Sequence, residues 1–219
     1  MKRIEELDGL RAMAFLAVFL NHSIKLPMAW VGVDLFFILS GFLITNILLR
    51  SRSDNPKVFF KNFYLRRVKR IFPPYFLVLA IAFMLFPFEI AWRDIGWQFF
   101  TFQQNLATAY QLRIGVLFPY WSLAVEEQFY LIWPVLCFLL PLRWLIASCI
   151  GMLIAAPLLR LVATPLVSSY NVIFCLTPFR MDLLAAGSLI GIFWHLGSDR
   201  IRRLEKPAWF FALISGLLL

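Results

Sequence analysis

The sequence predicts an all-α fold, a polytopic bundle of about six to seven transmembrane helices. Three observations lead there. Of the 219 residues, 62% are hydrophobic and only 15% are charged, against about 45–50% and about 25% in a soluble domain. The mean hydropathy is +0.80, so polar surface is too scarce to cover a water-soluble globule. The apolar residues also fall into runs near the ~20 residues that a membrane-spanning helix needs, and basic residues gather between those runs.

The first apolar run, Leu10 to about Leu26, follows Lys2 and Arg3. Asp8 and Arg11 interrupt it and no small-x-small cleavage site follows, so it reads as a retained helix and not as a signal peptide. Trp30 to Leu49 forms the second span. A basic loop, 50–70, separates it from a third span, Ile71 to about Phe88, with Pro73 and Pro74 near its start, where proline is tolerated. Residues 89–118 mix Glu89, Arg93, Asp94, Gln98, Gln103, Gln104, Asn105 and Arg113 with aromatics and read best as an interfacial helix and loop. Further spans run from Tyr120 to Leu140, Trp144 to about Ala163, and Asn171 to about Leu196. A charged loop follows, then a final apolar run from Ala208 to Leu219. At ~1.5 Å per residue that last run is too short to cross comfortably.

The net charge is +9. The cations lie between spans and not on a polar domain, which argues against nucleic acid as a partner. Segments 1–7, 50–70, Arg143 and 197–207 hold fifteen Lys or Arg, against Lys25, Arg93 and Arg113 on the other side. The positive-inside rule then sets a multi-pass topology with the N-terminus in the cytoplasm. Cys137, Cys149 and Cys175 are odd in number and show no CxxC or His/Cys metal spacing; they read as buried thiols, with no metal site expected.

A charge at the bilayer centre costs at least ~2.5–3.5 kcal/mol, so charges kept within spans mark function. Arg11 and His22 lie eleven residues apart in LDGLRAMAFLAVFLNHS, close to three helical turns, and share one face roughly 16 Å apart along the axis. Asp8 is within i,i+3 reach of Arg11. Asp34, in WVGVDLFFILSGFLIT, enters the second span near where His22 leaves the first. A carboxylate there is placed to orient the imidazole. Arg67 and Arg70, in FYLRRVKRIFPPYF, share a helix face, and paired guanidiniums suit phosphate; the surrounding loop reads as a topology signal. Glu126 and Glu127 open a span in PYWSLAVEEQFYLIWP. Adjacent residues diverge by about 100° on a helix, so they face different surroundings. LTPFRMDLLAAGSLIGIF carries Arg180 and Asp182 beyond a kink expected at Pro178, and Gly187 and Gly191 form a GxxxG spacing that permits close helix contact. Arg160 is embedded without a supporting motif.

Four segments in order, LDGLRA with His22 downstream, GVDLFFILSGFLIT, RRVKRIFPPYF and WSLAVEEQFYLIWP, resemble the acyltransferase 3 family of membrane O-acyltransferases that decorate bacterial surface glycans. The matches span residues 7 to about 190. The resemblance implies a single membrane-embedded acyltransferase domain over 1–219 in the inner membrane. It also implies a cytoplasmic acyl-CoA co-substrate, most often acetyl-CoA, with no tightly bound cofactor, and a carbohydrate or lipid-linked glycan as acceptor. In it, Arg11 and His22 are the essential pair, and Arg67 and Arg70 match the motif associated with CoA phosphates. Glu126 and Glu127 fall on the family's SLxxEEQFY motif. Members have about ten membrane helices; this chain supplies about seven, so C-terminal helices are expected to be missing.

The expected chemistry is acyl transfer with His22 as general base or acyl carrier. Arg11 holds donor phosphate or stabilises oxyanion charge, and Asp34 and Glu127 assist. Glu126, Arg180 and Asp182 are candidates for substrate contact. Two other readings stay open: a proton-coupled transporter, whose pathway would use the same kinds of charged residue, and an inactive truncated partner.

Overall fold

A computed structural model describes residues 5–24, 26, 30–53 and 55–197. The final apolar run and most of the preceding charged loop lie outside these residues. The described residues form α-helices and 3₁₀ turns with no strand: α1 Glu5–Ile24, α2 Val31–Arg50, α3 Pro56–Leu85, α4 Trp92–Phe100, α5 Gln104–Ala109, α6 Tyr120–Leu139, α7 Leu142–Ala163, α8 Tyr170–Cys175 and α9 Met181–His195. Among them α2, α3, α6 and α7 are long and apolar enough to cross a membrane. α1 has the length but a charged first half, and α9 is apolar but only 15 residues long.

The interior is built on α2, which packs most extensively against α9. Small residues make that approach possible. A Cβ added at Gly41 would run into the Leu184 carbonyl, and one at Gly187 into the Ile38 carbonyl, so backbone meets backbone at both positions. Gly191 sits against Phe42 and Thr45 in the same seam, as the GxxxG spacing predicts. α1 meets α2 through Gly32, whose Cβ would strike the Ala14 carbonyl. Phe37, Trp133, Leu184 and Ile192 fill the core between these helices. Cys137, Cys149 and Cys175 are buried free thiols.

Two elements differ from the sequence expectation. The basic stretch 50–70 is not a loop: α3 begins at Pro56, so Pro73 and Pro74 lie in its interior. Pro56 occupies the first turn, where its missing N–H costs nothing, and the Asn55 side chain accepts from the backbone N–H groups of Lys57 and Val58 at 3.0 and 3.4 Å. Phe59 and Phe63, one turn apart, bury the apolar side of this basic segment. Pro73 and Pro74 are both exposed, so the carbonyls they leave unpaired face away from the core.

The last expected span, 171–196, is broken and not merely kinked. α8 ends at Cys175, Thr177–Phe179 makes a 3₁₀ turn around Pro178, and α9 restarts at Met181. Asn105 of α5 takes up the interrupted backbone, donating to the Cys175 carbonyl at 3.4 Å and to Thr177 Oγ1 at 3.3 Å. Segment 89–118 forms short helices, too short to cross, with a small core of its own: Ile95, Phe99, Ala107, Ile114 and Leu117 pack on Tyr75 and Leu79 of α3.

The bundle has two distinct ends. The α2–α3 and α6–α7 junctions share one of them, where Arg52 donates to the carbonyls of Phe138 and Leu140. Segment 89–118 and the α7–α8 connection share the other, joined by Gln111 and Ser169.

Candidate active site

A cavity of about 440 Å³ opens among α1, α2, α3 and α6. Arg11, Arg67 and Arg70 line it together with Ser40, Glu126 and Tyr130. Three guanidiniums therefore face one carboxylate. That carboxylate is occupied: Ser40 Oγ donates to Glu126 Oε1 at 2.6 Å and the Tyr130 hydroxyl to Oε2 at 3.2 Å. The Arg67 guanidinium carbon sits over the Tyr130 ring, 4.8 Å from its centroid, and 5.8 Å from that of Phe63. Cation–π attraction to these two rings helps to hold the Arg67 guanidinium at the cavity wall. The surplus of positive charge and the fixed guanidinium suit a polyanion, and phosphate in particular.

A second cavity, about 220 Å³, lies beyond Arg67 and Tyr130, which line both spaces. Glu127 enters it beside Tyr64, Phe72 and Phe102, and Glu127 Oε1 is buried with no hydrogen-bond partner. Gln128, next in the chain, is committed to structure. Its Nε2 donates to the Phe102 carbonyl at 2.8 Å and to Asn105 Oδ1 at 3.1 Å, and its Oε1 accepts from the Thr177 hydroxyl. Gln128 thus ties α6 to α5 and to the break before α9.

A profile of the acyltransferase domain matches residues 4–219. The chain belongs to the acyltransferase 3 family. It is 36% identical over 162 residues to "Peptidoglycan O-acetyltransferase OatA" of Listeria monocytogenes serovar 1/2a, an alignment covering 65% of this chain and 25% of that protein. It is 35% identical over 151 residues to "Putative peptidoglycan O-acetyltransferase YrhL" of Bacillus subtilis strain 168, covering 60% and 23%. The chain thus spans about a quarter of the length of the curated relatives it matches. No solved structure matches it.

Within this acyltransferase domain the sequence candidates separate into three groups. Arg11, Arg67, Arg70 and Glu126 converge on the larger cavity, and Glu127 faces the smaller. His22 stands in the last turn of α1, exposed. Asp34 does not meet it: Asp34 pairs with Arg180. Asp182 pairs with Arg160 at 2.6 Å, and Arg160 also donates to the Phe179 carbonyl. Arg180 is held besides over Phe174 at 5.1 Å, with Phe37 and Trp121 at 5.9 and 6.0 Å. Asp34, Arg180 and Asp182 therefore form, with Arg160, a charge cluster that joins α2, α7 and the break before α9.

Sequence reasoning missed five contributors. Tyr130 follows Glu126 by one helical turn, a spacing that announces contact. Ser40, Gln128 and Asn105 are polar residues in apolar surroundings, and no local spacing names their partners. Arg160 gains a role only through Asp182, 22 positions away.

Proposed function

We propose that this chain forms the donor-binding and transfer part of an O-acyltransferase that moves an acyl group, acetyl by preference, from cytoplasmic acyl-CoA to a hydroxyl of an extracytoplasmic glycan. The observation that carries this reading is the convergence of Arg11, Arg67 and Arg70 on one cavity, a match for the phosphates of CoA. By the positive-inside rule the basic end of the bundle and the N-terminus face the cytoplasm, and we assign the protein to the inner membrane, where cytoplasmic acyl-CoA is within reach.

His22 acts from the opposite end of α1. It shares a helix face with Arg11, roughly 16 Å further along the axis, so a phosphopantetheine arm anchored at the arginines runs toward it. The acceptor oxygen attacks the thioester carbonyl while the imidazole takes its proton. The carbon–sulfur bond then breaks, and the CoA thiolate leaves with a proton returned by the imidazole. Glu127, buried without a partner on the other side of the Arg67–Tyr130 stack, supplies an uncommitted carboxylate next to the donor-binding Arg67. The Asn105 and Gln128 hydrogen bonds and the Arg180 and Arg160 ion pairs hold α2, α5, α6 and α7 to the break before α9.

Glycan O-acetylation by cells carrying His22→Ala tests the reading. Acetylation is expected to fall to background with the protein still present in the membrane; retained acetylation overturns the role of His22.

A further inference from the structure

At the end of the bundle opposite the α2–α3 junction, a groove of about 420 Å³ lies between the α5 end and the α7–α8 connection. Its lining contains no charged residue, unlike the arginine cavity. Tyr110 stands at its edge, 65% exposed. Gln111 follows with φ +56, a left-handed conformation that is costly for a side-chain-bearing residue and persists where the surroundings enforce it. Here the enforcement is visible: Gln111 Nε2 donates to Ser169 Oγ, and the Gln111 backbone N–H donates to the Thr108 carbonyl at 3.2 Å.

The hydrogen-bonding capacity left over is specific. Ser169 Oγ already accepts from Gln111 Nε2 and from the Asn171 backbone N–H, so its own proton remains to be donated. With Nε2 engaged, Gln111 Oε1 remains as an acceptor. Ser168, also lining the groove and exposed, adds a hydroxyl that donates and accepts. A fixed donor, a fixed acceptor and an adaptable hydroxyl beside an exposed aromatic face match an uncharged ring bearing hydroxyl or amide groups on its edge and C–H bonds on its face. A phosphorylated ligand finds no cation here.

We propose that the Tyr110–Gln111–Ser168–Ser169 groove binds the sugar chain of the acceptor, a neutral pyranoside or N-acetylhexosamine oligomer, and holds it at the far end of the bundle from the donor phosphates. This rests on the acyltransferase reading for its purpose and on the groove alone for its chemistry. The groove is coupled to the bundle interior by aromatic contact: Tyr170, next to Ser169, stacks on Phe174 at 5.7 Å, and Phe174 meets both Trp121 and Arg180.

The test uses the chain in lipid nanodiscs with chitotetraose, an uncharged N-acetylglucosamine oligomer, as probe, and radiolabelled acetyl-CoA binding measured on the same preparation. Chitotetraose is expected to bind, and Tyr110→Ala to weaken it about tenfold, the scale of one lost aromatic contact. Tyr110→Phe, which keeps the ring, retains binding, and acetyl-CoA binding is the same in all three proteins. Absence of chitotetraose binding, or equal binding by Tyr110→Ala, overturns the groove assignment whatever acetyl-CoA does. Tyr110-dependent sugar binding without acetyl-CoA binding leaves the groove standing and removes the donor reading instead.

Discussion

Glu126 and Glu127 are neighbours in the chain yet line different cavities, one on each side of the Arg67–Tyr130 stack. Glu126 is tied to Ser40 and Tyr130, whereas Glu127 Oε1 is buried without a partner. The two carboxylates therefore do different work. Glu126→Ala strands the Ser40 and Tyr130 hydroxyls and is expected to lower stability by about 1–3 kcal/mol, read as a fall in melting temperature in detergent. Glu127→Gln keeps shape and breaks no hydrogen bond at Oε1, so it is expected to leave melting unchanged while reducing acyl transfer. A large drop in melting temperature for Glu127→Gln would contradict this division.

The Asp34–Arg180 and Asp182–Arg160 pairs lie in one cluster, of which Arg160 alone is substantially exposed. Removing one member leaves an uncompensated charge, at a cost of about 3–5 kcal/mol. Arg180→Ala is thus expected to be more damaging than the double variant Asp34→Ala with Arg180→Ala, which removes both charges. A double-mutant cycle on thermal unfolding checks it; strictly additive losses would show that the pair is not coupled.

Backbone contact in the α2–α9 seam sets a third expectation. Gly41→Ala and Gly187→Ala place a Cβ against a carbonyl on the facing helix, and overpacking of this kind costs about 1–3 kcal/mol. Gly151, exposed on α7, has nothing within 4 Å of a new Cβ. Gly151→Ala is expected to stabilise by about 0.5–1 kcal/mol through lower chain entropy. Opposite signs in the two sets of melting temperatures would support the seam.

The parts of this fold legible in the sequence are those written in continuous apolar runs. α2, α6 and α7 begin and end within a few residues of their expected limits because each is an unbroken run between turn or charge signals. α3 was harder: Lys57, Lys61, Arg66 and Arg67 lower the local hydropathy, and only Phe59 and Phe63, one turn apart, carry the helical period through it. Pro178 announces a disturbance, but whether the helix bends or stops depends on Asn105, which satisfies the Cys175 carbonyl from 70 positions away. Of the site, Arg67 and Arg70 were legible as a pair and the divergence of Glu126 from Glu127 followed from helix geometry. The partner of Asp34 was not, because Arg180 lies 146 positions along the chain and His22 lay nearer to hand in the expected topology.

The proposed donor site rests on Arg11, Arg67 and Arg70 binding the phosphates of the acyl donor. Equilibrium binding of radiolabelled acetyl-CoA to the purified chain in nanodiscs is the decisive measurement. Arg67→Ala and Arg70→Ala are each expected to weaken binding by about tenfold or more, as loss of a charge-assisted bond worth ~1.5–3 kcal/mol requires, and both losses should shrink as salt rises. Unchanged affinity in both variants would contradict the assignment of the cavity.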